Sequence, residues 1–187
     1  MGVDVRPRQV PRSELRGQLQ TIKNNFALAQ MGIALMALPG AKERFVQAIK
    51  PLRDHPEASS FDYITYVFAS DDLLKHATKE FRNSVLRNCL KETYELVKLY
   101  GDATGQSGII KAAPWYQFLR IVRNCLSHDL QLRFTQHELK QLPVTWSGLT
   151  LDRSMHEGPL PARDFLSRQK ALELISEVIA YVEENVA

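Results

Sequence analysis

Between Trp115 and Asp129 the sequence WYQFLRIVRNCLSHD places six apolar residues, Trp115, Phe118, Leu119, Val122, Cys125 and Leu126, at i, i+3, i+4 and i+7 spacing. That periodicity gathers side chains on one face of an α-helix. It commits this part of the chain to a helix buried along one stripe. Arg120, Arg123, Asn124, Ser127 and His128 are left on the other face or at the C-terminal end.

The rest of the chain repeats the helical pattern. Residues 1–12 carry prolines and arginines without periodicity and read as a solvated tail. Ser13 is the expected N-cap of a helix whose seam runs Leu15, Leu19, Ile22, Phe26, Ala29, Ile33, Met36, in alternating steps of four and three, to Pro39-Gly40. Such a seam packs inside the chain's own bundle or against a second copy, and the first is the default. A short helix is expected over Ala41–Ile49, then a loop from Pro51 to Ser60, with Ser60 capping a short aromatic helix, FDYITYVFA. Ser70, followed by Asp71 and Asp72, starts a helix of some thirty residues that runs to Tyr100 and buries Leu74, Ala77, Phe81, Val85, Cys89, Leu96 and Tyr100, with Gly101 and the GDATGQSG stretch ending it. After Asp129 the pattern changes. Leu130, Leu132 and Phe134 alternate with polar residues, and PVTWSGLTLD has a Ser147-Gly148 turn between two β-prone arms, which reads as a hairpin. A last helix carries Leu172, Ile175, Ile179 and Val182.

A chain of 187 residues is long enough to bury about 70% of its unfolded surface as one domain. The expected architecture is therefore mainly α: a four- or five-helix bundle over 13–187, with a small β insert at about 130–155 before the C-terminal helix. No apolar run reaches the roughly 20 residues that span a membrane. Cys89 and Cys125 both fall on apolar helix faces, which suits core thiols in a reducing, cytoplasmic setting rather than a disulfide framework. With 24 Lys and Arg against 21 Asp and Glu, the net charge of +3 permits a polyanionic partner without requiring one.

Several chemistries lack their sequence signatures. There is no phosphate-binding GxxxxGK[ST] or GxGxxG segment, no GxSxG elbow, and no metal-ligand spacing among His55, His76, His128, His137 and His156. No metal and no cofactor are expected. What remains is Arg123-Asn124-x-x-x-His128. Arginine offers a planar fork that matches phosphate, and histidine titrates near neutral pH. A ribonuclease can work with these two residue types alone, using the substrate's own 2′-hydroxyl as nucleophile. On an ideal helix, however, Arg123 and His128 lie roughly 140° apart around the axis, whereas Arg120, Asn124 and His128 share one stripe. The helix must end before His128, or a second copy must complete the site.

The segment FLRIVRNCLSHD resembles the R-x(4 to 6)-H motif, in its Arg-Asn form, of HEPN domains. The resemblance implies a helical bundle that dimerises so that two motifs form one cleft. In active members it implies metal-independent endoribonuclease activity in toxin or antiviral defence, with an antitoxin or inhibitor protein as a further partner; other members are non-catalytic nucleotide-, RNA- or protein-binding modules. By motif position, Arg123 and His128 take the catalytic roles, with Asn124 beside them. Arg120, Ser127 and Lys111 are candidate RNA contacts, as is Arg133. Arg82-Asn83 and Arg87-Asn88 on the long helix read as a solvated face rather than as part of the cleft. Trp115 reads as packing, and Trp146 as the more exposed candidate for stacking a base.

Overall fold

A computed structural model describes residues 11–52, 66–127, 131–158 and 165–187. Among the described residues the protein is mainly helical, 75% helix, with seven α-helices and a two-stranded antiparallel hairpin before the last of them. They are α1 (Arg12–Met36), α2 (Ala41–Ile49), α3 (Asp71–Thr104), α4 (Ser107–Lys111), α5 (Tyr116–Ser127), α6 (Gln136–Gln141), β1 (Val144–Trp146), β2 (Leu149–Leu151) and α7 (Arg168–Asn185). None of the described helices is long and apolar enough to cross a membrane. Two compact units emerge, one from the chain up to Asn24 together with Leu86–Ala187, the other from Asn25–Val85.

In the first unit, α5 is the buried centre. All six stripe residues are buried, and so are Tyr116 and Ile121, so the helix is covered on more than the expected face. Trp115 meets Tyr181 of α7 edge-on at 5.8 Å, and Phe118 lies against Trp146 of β1 at 5.4 Å and against Phe165 at 6.0 Å. α7 buries Ala171, Leu174, Ile175, Val178, Ile179 and Val182, and Ser167 caps it by accepting from Lys170 N. Ser147 (φ 46°) and Gly148 (φ 79°) both take positive φ, the backbone that a two-residue hairpin turn requires. Val144 pairs with Leu151 and Trp146 with Leu149.

Two boundaries differ from expectation. α1 starts at Arg12 rather than after Ser13: Glu14 N and Leu15 N donate to Pro11 O, and the Arg12 guanidinium donates to the carbonyls of Glu183 and Val186 at the end of α7. Arg12 thus belongs to the domain, and not to a tail. Nor does Gly101 end α3, which runs on to Thr104, with Gly105 in the left-handed conformation beyond it (φ 72°). Gly101 is needed for close approach instead: a Cβ there would sit 2.7 Å from Ile110 Cδ1 and 3.2 Å from Ser107 Cα. Ser70 caps α3 as expected, its Oγ accepting from Leu73 N.

The second unit holds the rest of α1, all of α2 and the start of α3. Phe26, Ile33, Ile49 and Phe68 are buried, and the Phe45 and Phe68 rings lie 5.3 Å apart. Of the α1 seam here, Phe26 and Ile33 are buried and Ala29 and Met36 half-buried, while Leu28, Met31 and Leu35 on the opposite side are exposed. Most of the Pro51–Ser60 loop and of the Ser60-capped aromatic helix expected from the sequence lies outside the described residues, as do most of the expected tail, Leu130 and residues 159–164.

Candidate functional site

The last two turns of α5 present Arg120, Arg123 and Asn124, all half-buried, on the part of the helix that the apolar core leaves free. α5 ends at Ser127, whose side chain lies outside the described set together with His128. Arg123 is held from several sides. One Nη donates to Asn124 Oδ1 at 2.7 Å, the other forms an ion pair with Glu95 of α3, and the guanidinium carbon stands 5.2 Å over the Tyr94 ring. The Tyr94 and Tyr116 hydroxyls share a hydrogen bond of 3.2 Å beneath it. Burial, reinforced by that bond, pushes the Tyr116 phenol up to about 12, so Tyr116 stays neutral near pH 7 and only donates or accepts hydrogen bonds.

Asn124 links Arg123 to a second carboxylate. Its Nδ2 donates to Glu138 Oε1 at 2.8 Å while its Oδ1 faces the guanidinium. Turning the amide over would set donor against donor and acceptor against acceptor, so only one orientation fits. Glu138 is 2% exposed. Its Oε2 accepts from Thr135 N (2.8 Å) and Thr135 Oγ1 (3.0 Å), completing a capping box that starts α6. Arg120 approaches the same carboxylate at 4.0 Å and donates to Gln141 Oε1 at 2.6 Å; Gln141 in turn meets His137 Nε2 at 3.1 Å.

Two arginines and two carboxylates therefore alternate through one amide: Glu95, Arg123, Asn124, Glu138, Arg120. The expected stripe of Arg120 and Asn124 is brought together, and its meeting point is Glu138. Lys111 is exposed at the end of α4, and Arg133 is exposed with its guanidinium on Gln131 Oε1. Arg82, Asn83 and Arg87 are half-buried and Asn88 is exposed. Trp115 is fully buried, as read. Trp146 is not the exposed stacking residue expected: it is 4% exposed, and its Nε1 donates to Glu177 Oε2 of α7 at 2.7 Å. A partner 31 residues away decided its burial. Among the described residues no three His, Cys, Asp or Glu side chains gather in a way that could hold a metal ion.

Sequence reasoning missed Glu95, Glu138 and Gln141. For Glu138 a signal existed, since Thr135-x-x-Glu138 is a capping-box pattern that announces a helix start. Nothing local marked that its carboxylate turns inward to α5. No family model matches the chain, and no curated protein or solved structure is significantly similar to it.

Proposed function

We propose that the chain is a metal-independent endoribonuclease of HEPN type, with Arg123 and His128 as its catalytic pair. The observation that carries this reading is the arrangement around Arg123: an arginine fork with 26% side-chain exposure, oriented by Tyr94, Asn124 and Glu95 in the helical turn that leads directly to His128. A fork fixed in advance loses little entropy when phosphate oxygens replace one of its partners. His128 takes the proton of a ribose 2′-hydroxyl, and the 2′-oxygen attacks the adjacent phosphorus. The bond from phosphorus to the 5′-oxygen breaks, leaving a 2′,3′-cyclic phosphate and a 5′-hydroxyl, which takes up a proton. Arg123 holds the phosphate oxygens and stabilises the charge that grows on them. Arg120, Ser127 and Lys111 supply further RNA contacts. The same reading pairs two copies of the chain about a two-fold axis, so that the second motif supplies the other proton-transfer group, and places the protein in the cytoplasm under an antitoxin or inhibitor.

The purified protein, with chelator present, is expected to cut single-stranded RNA. Arg123→Ala or His128→Ala should each lower the rate by about a hundredfold or more while the helical circular dichroism persists. Wild-type protein that leaves RNA intact, or a His128→Ala variant that cuts as well, would sink the reading. One observation favours a second reading, a non-catalytic RNA- or protein-binding module: each guanidinium already faces a carboxylate, Glu95 or Glu138. Binding without cleavage, unchanged by His128→Ala, would select it.

A further inference from the structure

We propose that Glu138 is a positioning residue for Arg123, acting through the side-chain amide of Asn124. Its consequence for activity rests on the ribonuclease reading above; the link itself rests on geometry. A capping box asks little of its third residue. A solvent-exposed carboxylate reaching back to the N-cap nitrogen does that work. Glu138 does it while 2% exposed, and a carboxylate out of water is costly unless donors surround it. The donors divide by oxygen. Oε2 takes both groups of Thr135 and starts α6, whereas Oε1 takes Asn124 Nδ2 at 2.8 Å, with Arg120 at 4.0 Å supplying opposite charge.

Only the second set explains why the carboxylate is turned toward α5. By claiming the amide nitrogen of Asn124, Glu138 leaves Oδ1 as the face that meets Arg123 Nη1 at 2.7 Å. Without Glu138 the amide loses the anchor on its nitrogen, and only the guanidinium itself still selects its orientation. Arg123 would then keep Glu95 and Tyr94 but meet in Asn124 an acceptor that is no longer held in place. A phosphate would still be attracted, with less exact alignment. The loss therefore belongs in kcat more than in KM.

The experiment compares wild type with Glu138→Gln, Glu138→Ala, Asn124→Ala and the Asn124→Ala/Glu138→Gln double variant. It reads cleavage of a single-stranded RNA, thermal midpoint, and the Arg123 Nε signal in 15N-resolved spectra. The proposal expects Glu138→Ala to lower kcat about tenfold or more with KM within about threefold, and Glu138→Gln, which keeps an acceptor for the amide, to retain much of the rate. In the Asn124→Ala background Glu138→Gln should cost nothing further, because the path is already cut. The Arg123 Nε signal should move in Glu138→Gln and stay still when the same change is made on Asn124→Ala. Additive rate losses, rate losses that only track the thermal midpoint, or an Arg123 signal indifferent to Glu138 would overturn the proposal. If Glu138→Ala fails to fold, the Arg123 signal in Glu138→Gln, alone and on Asn124→Ala, decides the proposal. If wild type cuts no RNA, the ribonuclease reading fails by itself, and the Arg123 signal alone decides the positioning link.

Discussion

Arg123 stands between an opposing charge and an aromatic face, and this makes its electrostatics adjustable by single changes. Glu95 is 41% exposed, so its pair with Arg123 is screened and contributes about 1 kcal/mol or less to stability. On the ribonuclease reading the pair matters more, since a phosphate would have to compete with it. Glu95→Gln is expected to tighten RNA binding several-fold and to steepen its salt dependence by about one phosphate contact; affinity and slope that stay at the wild-type values would mean that Arg123 meets no phosphate. Three buried groups set the alkaline limit. Burial pushes the Cys89 thiol up to about 12, with Glu92 adding to the shift, and it pushes Cys125 up to about 12, with Glu138 adding. Tyr116 rises likewise to about 12. In the unfolded chain the thiols lose protons near pH ~8.5 and the phenol near ~10, so above those values the unfolded state holds fewer protons and is favoured relative to the native one. Stability contributed by these neutral groups is present below about pH 8.5 and is lost as pH climbs toward about 12. Urea midpoints measured across this range should fall with rising pH, and native thiols should label slowly at neutral pH but fast in denaturant. Rapid native labelling would contradict the burial of both cysteines.

At the level of elements, the hairpin and α7 hold α5 from one side. Phe118→Ala removes a fully buried ring that touches Trp146 and Phe165, and should cost about 3–5 kcal/mol in denaturant unfolding. Trp146→Phe keeps an aromatic ring, though a smaller one, but strands the Glu177 carboxylate, for about 1–3 kcal/mol. A cost near zero would show that water replaces the indole there. Gly101→Ala drives a methyl into Ile110 and the α4 backbone and should cost about 1–3 kcal/mol. These same positions mark what could be read from the sequence. α2 was legible to the residue, the Ser147-Gly148 turn was legible from its φ demands, and the α5 and α7 stripes were legible from periodicity, because each is a local property. Gly101 was misread as a stop because its reason lies in Ile110, on the next helix. α6 was overlooked because six residues are too few to display a period, although its cap was written in Thr135 and Glu138.

For the molecule as a whole, the mainly helical architecture with one hairpin followed from the count and spacing of apolar stripes. The division into two units did not, since α1 and α3 each contribute residues to both and show no break in composition at Asn24 or Val85. The candidate site was half legible. Arg120, Arg123 and Asn124 were named from residue type and position, whereas the carboxylates that organise them come from α3 and α6, 28 residues before Arg123 and 14 after Asn124. If two copies assemble as proposed, the thermal midpoint should rise with protein concentration over a hundredfold range, about as the logarithm of concentration; a constant midpoint would leave each chain on its own. Glu138 finally bears on how separable this site is. The carboxylate that begins α6 is also the one that fixes the amide on α5, so the six-residue motif is not a portable cassette. A transplant of Arg123 to His128 into another helical scaffold would arrive without its alignment, and only a graft that carries the Thr135–Gln141 turn along with it would inherit the set of the arginine.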